Sequence, residues 1–290
     1  MEWFLISILC AFSLASSDAG AKKYLLNYTS WQLLLIRFFI PGILLIPVLY
    51  FYPLPTVPPV FWGWMAILLP LELVAMTLYV LAIRDAPLSQ TLPYLSFTPV
   101  FNIVTGWLVL GEQVSLAGAA GIFLVVLGAY LLNIQHAKQD IRLWYEPLKA
   151  IVHQQGARRM LFASIIYSFT SVGGKAAMQY ADPVSFGALY FVILGGLTLL
   201  IIALKHPKEL AVLKQNHFAH FVVGGLMAVM VVSHFIALSM IEAAYMIAVK
   251  RTSLLFGILF GAYLFKEEGL AKNFIFAAVM VAGAITILFS

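Results

Sequence analysis

The sequence predicts an all-α integral membrane protein, with about ten transmembrane helices arranged as two inverted five-helix repeats. Three observations predict it. The 290 residues are 63% hydrophobic and 10% charged, with mean hydropathy +0.98, whereas soluble domains are about half apolar and a quarter charged. Apolar runs of about 20 residues, the length that crosses a bilayer, recur along the whole chain. The two halves also resemble each other at a near-constant offset.

The first run, roughly 3–22, follows Glu2 and no lysine. It lacks the basic start of a cleaved signal peptide, so it is expected to stay as the first membrane helix. Further spans read as roughly 30–52, 59–82, 87–110 and 115–133, then 159–180, 184–204, 217–238, 242–265 and 270–289. Turn chemistry separates them: "YPLPTVPP" at 52–59, "RDAP" at 84–87, "ADP" at 181–183 and "KHPKE" at 205–209. The fourth span contains Pro87, Pro93 and Pro99, which frees backbone carbonyls; such a helix is a bent packing helix or a cavity wall. The charged connection at 135–158, with Trp144 and Tyr145, suits a short interfacial helix and divides the chain into 1–134 and 159–290.

Basic residues set the orientation. Of the 17 Lys and Arg, all but Arg37, Lys175, Lys250 and Arg251 fall in or beside the odd-numbered connections. Those connections are expected to face the cytoplasm, with both termini on the other side of the cell membrane.

The repeat is carried by aligned residues. Ser7, Ile8, Phe12 and Ala19 match Ser164, Ile165, Phe169 and Ala176, 157 positions apart. "FNIVTGWLVLGE" from Phe101 matches "FGILFGAYLFKE" from Phe256, 155 positions apart, and Gly128-Ala129 matches Gly283-Ala284. Five spans per half make the second half enter from the opposite face. Inverted repeats of this kind build secondary transporters with a site at the repeat interface.

Ionisable residues inside spans mark functional sites by default. Here they are Asp18, Arg37, Glu72, Lys175, Lys250 and Arg251, with a surplus of positive charge that favours an anionic or zwitterionic substrate. Lys175 falls opposite Asp18 in the repeat, each beside small residues. The expectation is that both face one cavity; the competing reading is that Lys175 snorkels to the interface. Arg37 and Glu72 read equally as an internal pair or as substrate contacts, and Arg37 is also within snorkelling range. Lys250 and Arg251 sit near the middle of the ninth span, about 100° apart on the helix; one is expected in the cavity and the other bonded to a neighbouring helix or to backbone carbonyls. Tyr94 and Ser96 lie beside the proline break and suit polar groups of a substrate. His234 is a candidate proton carrier, though a lone histidine is more often a hydrogen-bonded packing residue. Glu112 and Glu267 close matching spans and suit a structural role at a helix N-terminus.

"TPVF" followed by "LGE", then Gly118, Gly121 and Gly128, resembles the end of an EamA domain, and "VKRTSLLFGILFGAYLFKEEGLAKNFIFAAVMVAGAITIL" resembles a second one. EamA domains belong to the drug/metabolite transporter superfamily. The resemblance covers nearly the whole chain and implies ten helices, a central substrate cavity and export or exchange of small metabolites. The second repeat has Leu254 where the first has Pro99. Many relatives put basic residues after the second helix, implying cytoplasmic termini; "YFYPLPTVPP" has none.

The partners expected are therefore a small-molecule substrate and the lipid bilayer, with a proton or ion as a candidate for coupling, and no nucleic acid. No phosphate loop, nucleophile–base set or Cys/His metal spacing is visible, so no cofactor and no enzymatic activity are expected. The rival class is an intramembrane enzyme acting on a lipid-linked substrate, which would need clustered carboxylates or a metal. The single cysteine, Cys10, excludes an internal disulfide.

Overall fold

The computed structural model describes residues 1–85, 92–136, 153–266 and 270–290. Pro87, the interfacial helix expected near Trp144 and Tyr145, and Glu267 lie outside the described residues. Within them the chain is all-helical, with eleven α-helices: α1 (Glu2–Tyr24), α2 (Ser30–Phe51), α3 (Pro59–Asp85), α4 (Thr98–Leu110), α5 (Leu116–His136), α6 (Gln155–Ala177), α7 (Pro183–Lys205), α8 (His217–Met240), α9 (Ala243–Lys250), α10 (Ser253–Phe265) and α11 (Leu270–Leu288). Seven segments are long and apolar enough to cross a membrane, and Leu116–Leu132 and Phe274–Leu288 are shorter apolar helices. This is a multi-pass membrane protein.

Local chemistry sets the helix starts. Thr29 caps α2 by accepting from Gln32 N, and the Gln32 side chain accepts from Thr29 N in return, a capping box. "NYT" at 27–29, which fits a glycosylation sequon, thus carries a helix cap. Asp182 caps α7 ahead of Pro183, which needs no amide partner in the first turn.

The expected sixth span, 159–180, is instead α6, beginning at Gln155 and ending at Ala177. It is the least apolar of the long helices because it is shielded by protein rather than lipid. Its buried residues include Gly156, Ser164, Ser168, Thr170, Gly173 and Gly174. Such small residues let backbones approach closely and let hydroxyls bond across helices: Ser168 meets Thr105 at 3.1 Å and Ser171 donates to Asn102 at 3.1 Å.

Helices pack mostly across the two halves of the chain: α1 on α8, α2 on α7, α3 on α6 and α5 on α11. Glycines set the closest approaches. A Cβ on Gly42 would stand 2.8 Å from Phe191 O, and one on Gly195 2.7 Å from Phe38 O. That crossed pairing makes α2 and α7 antiparallel. Gly121 and Gly283 meet each other's carbonyls in the same way between α5 and α11.

Two spans are interrupted, the fourth where its prolines predict a bend and the ninth where continuous helix was expected. The fourth is a 3-10 turn, Leu92–Phe97, leading into α4, with Pro99 in the first turn of α4. The ninth, expected as 242–265, is α9 and α10 separated at Arg251-Thr252. There the amides tighten to i−3 carbonyls: Arg251 N bonds Ala248 O at 3.0 Å and Thr252 N bonds Val249 O at 3.0 Å. The Thr252 hydroxyl also donates to Val249 O at 2.7 Å, so that carbonyl accepts twice from Thr252 at the break.

Candidate functional site

The site is built around the two breaks. Arg251 Nη2 donates to Thr98 Oγ1 at 2.8 Å, so the break before α10 touches the break before α4. Arg251 Nε is buried with no partner. The adjacent Lys250 points to α8 instead, its Nζ 3.4 Å from His234 Nδ1. Tyr79 on α3 and Tyr167 on α6 lie within electrostatic reach of Arg251.

Arg37 on α2 pairs with Asp18 on α1 at 2.7 Å and also reaches Met227 Sδ at 3.9 Å. The Asp18 side chain is 52% exposed and that of Arg37 29% exposed. Asp18 shares a helix face with Ser7, Ala11 and Leu14, opposite the exposed Leu5 and Leu9. Asp18 thus lies on the side of α1 that carries its buried residues, where Arg37 meets it. Glu72 on α3 meets the Thr170 hydroxyl and lies within electrostatic reach of Lys250. Glu72, Tyr79, Tyr167, His234, Lys250 and Arg251 are all partly buried, and electrostatic reach links them across α3, α6, α8 and α9.

Lys175 has other partners. Its ammonium bonds Glu112 Oε1 at 2.5 Å and Ile241 O at 2.6 Å, while Glu112 Oε2 accepts from Ala243 N at 3.0 Å. Glu112 thus caps the start of α9, and Lys175 ties the end of α6 to the α4–α5 connection and the α8–α9 junction. The expected sharing of one cavity by Lys175 and Asp18 gives way to two separate ion pairs, and Arg37 finds Asp18 rather than Glu72. Tyr94 and Ser96 are buried, Tyr94 against Ala82, Ala157 and Met160. With Lys175 held by Glu112, the remaining in-span ionisable residues are Asp18 and Glu72 against Arg37, Lys250 and Arg251, so formal positive charge stays in surplus.

Tyr79, Tyr167, Thr98 and Thr170 were not among the candidates from sequence. One signal was available: Tyr79 stands seven residues after Glu72, on the same face of α3. Among the described residues, no group of three or more His, Cys, Asp or Glu could hold a metal ion.

Residues 1–134 and again 156–289 match the EamA-like transporter family. The chain belongs to the EamA-like transporter family. A stretch of 72 residues is 31% identical to the probable 4-amino-4-deoxy-L-arabinose-phosphoundecaprenol flippase subunit ArnE of Enterobacter sp. (strain 638), covering 25% of this chain and 67% of that protein. The fold of this EamA-family chain is similar to a solved structure described as "Crystal structure of protein", with TM-score 0.76 and 15% identity over 99% of this chain and 97% of the other.

Proposed function

We propose that this EamA-family protein is a secondary transporter that moves a small anionic or zwitterionic metabolite across the cell membrane, as an exporter or exchanger. Two inverted five-helix halves, 1–134 and 159–290, joined by 135–158, alternate access to the cavity between them. The observation that carries the reading is the Arg251–Thr98 bond between two helix breaks, with Lys250 beside it. Discontinuous helices meeting near mid-membrane are how transporters of this class build a binding site. The two family matches and the antiparallel α2–α7 crossing support the inverted halves. Surplus positive charge in a low-dielectric cavity supports the choice of an anionic group.

The odd-numbered connections face the cytoplasm in this reading. Contacts between the first and seventh connections, Thr29 to Glu209 at 3.1 Å with Trp31 stacked on His206, support their lying on one side. The test is flux into proteoliposomes across pools of amino acids, nucleosides and organic anions. Uptake of an anionic or zwitterionic pool is expected, and no uptake of any pool contradicts the proposal.

A second reading is favoured by one observation. A groove of about 560 Å³ lies between α1, α10 and α11, lined by Phe4, Ile8, Leu255, Phe274 and Val281, with Thr252 of the break in its wall. It suits the tail of a lipid-linked anion, a substrate class in keeping with the relative's printed name. Protein-dependent flipping of a fluorescent anionic lipid, with no flux of soluble pools, would favour this second reading.

A further inference from the structure

We propose that His234 and Lys250 form one proton-binding site, whose occupancy is linked to the presence of an anionic group in the cavity. This rests on the transporter reading above. The two side chains come from α8 and from the last residue of α9, which the tight α8–α9 junction at Ile241-Glu242 folds back together. Lys250 Nζ and His234 Nδ1 are 3.4 Å apart. An ammonium only donates, and an imidazole nitrogen accepts only while it carries no proton. With Lys250 charged, His234 is therefore neutral, with its hydrogen on Nε2 and Nδ1 accepting. Charging both would set two donors face to face in a protein-enclosed interior. The pair titrates as a unit rather than as two independent groups.

The groups facing the pair reinforce this. Arg251 adjoins Lys250 and adds a second positive charge. Asp18 and Cys10 face it from α1 and Glu72 from α3, Cys10 also meeting Ser233. Around Glu72 and Arg251 stand Tyr79, Tyr167 and Tyr190, and Arg37 is held by Asp18.

When an anionic group enters beside Arg251 and Lys250, it supplies the counter-charge that the empty cavity lacks. The ammonium turns a donor to it and leaves Nδ1 free. Nδ1 then takes a proton from cavity water, so that one proton binds with one anionic group. When the anion leaves, Nδ1 returns its proton to water and accepts from Lys250 again. A monoanion and its proton thus cross together without net charge.

The test uses the full chain in lipid nanodiscs with ¹⁵N-labelled histidine, the His234 signals being assigned by their loss in His234→Gln. Wild type, Lys250→Met and Lys250→Arg are titrated from about pH 5 to 9. Lys250→Met should raise the His234 midpoint by about one pH unit or more, because a neighbouring positive charge is gone, while Lys250→Arg stays near wild type. Equal midpoints in wild type and Lys250→Met overturn the shared site. A second arm measures uptake of a radiolabelled organic-acid pool with and without an inward proton gradient. The gradient should stimulate wild type and fail to stimulate His234→Gln. Wild-type uptake indifferent to the gradient overturns the linkage. Absence of uptake together with a Lys250-dependent His234 titration overturns the transporter reading and leaves the proton site standing.

Discussion

Arg251 donates to Thr98 across 153 residues of sequence, and the bond joins structurally matching points. The helices that follow, α4 and α10, each have 13 residues and start 155 positions apart. Each ends on a left-handed residue, Gly111 at φ 69° and Lys266 at φ 54°. A charged donor whose second nitrogen is already unpartnered is held at the point where both breaks converge.

Thr98→Val removes the acceptor and keeps the shape. It should lower stability by about 1.5–3 kcal/mol, the range for a hydrogen bond to a charged group, whereas Thr98→Ser should stay close to wild type. Thermal unfolding in detergent checks this, and a wild-type midpoint for Thr98→Val would show that the bond contributes little.

Lys175→Met should destabilise, because it leaves the Glu112 carboxylate only 10% exposed with no cation. The expected loss is about 1–3 kcal/mol. The double variant Lys175→Met with Glu112→Gln should recover part of it, since the glutamine still offers an oxygen to Ala243 N. If the double variant is no more stable than the single one, the ion pair is not the cause.

Glycine substitutions should split by their surroundings. On Gly283 a Cβ would meet Gly121 O and Val125 N at 2.7 Å, backbone that cannot swing aside. Gly283→Ala should cost about 1–3 kcal/mol as overpacking. Gly225 in α8 has nothing within 4 Å, and Gly225→Ala should gain up to about 1 kcal/mol of helix propensity. Unfolding midpoints of the two variants give the comparison.

The all-helical membrane fold was legible because lipid demands long apolar runs, and 159–180 was legible as a span on the same ground despite its polar content. The break at Arg251-Thr252 was not, since Leu254 stands where Pro99 stands in the first half and no local residue announces it. The Asp18–Arg37 and Lys175–Glu112 pairs were not legible for a geometric reason. Asp18 lies where α1 runs toward the 25–29 connection, and Lys175 where α6 runs toward 178–182. Each finds its partner on another element, Arg37 of α2 and Glu112 of the α4–α5 connection, which an alignment of the two halves does not show. Tyr79 and Tyr167 carry no formal charge, so a search for buried ions passes over them.

Orientation has its own check. Lys and Arg crowd the odd-numbered connections, so a C-terminal reporter active only in the cytoplasm should be silent. An active reporter would reverse the assignment of sides and leave the packing unchanged.

The central claim is that Lys250 and Arg251, at the junction of two broken helices, bind the transported anion. The direct measurement is initial uptake by proteoliposomes carrying wild type, Lys250→Met or Arg251→Lys, with folding of each checked by its unfolding midpoint. Removing a charged hydrogen bond worth about 1.5–3 kcal/mol should weaken apparent affinity for the transported anionic pool roughly tenfold to a hundredfold. Arg251→Lys should also weaken it, because an ammonium cannot reproduce the guanidinium fork. Folded variants that take up the same anionic pool with wild-type affinity would contradict the account.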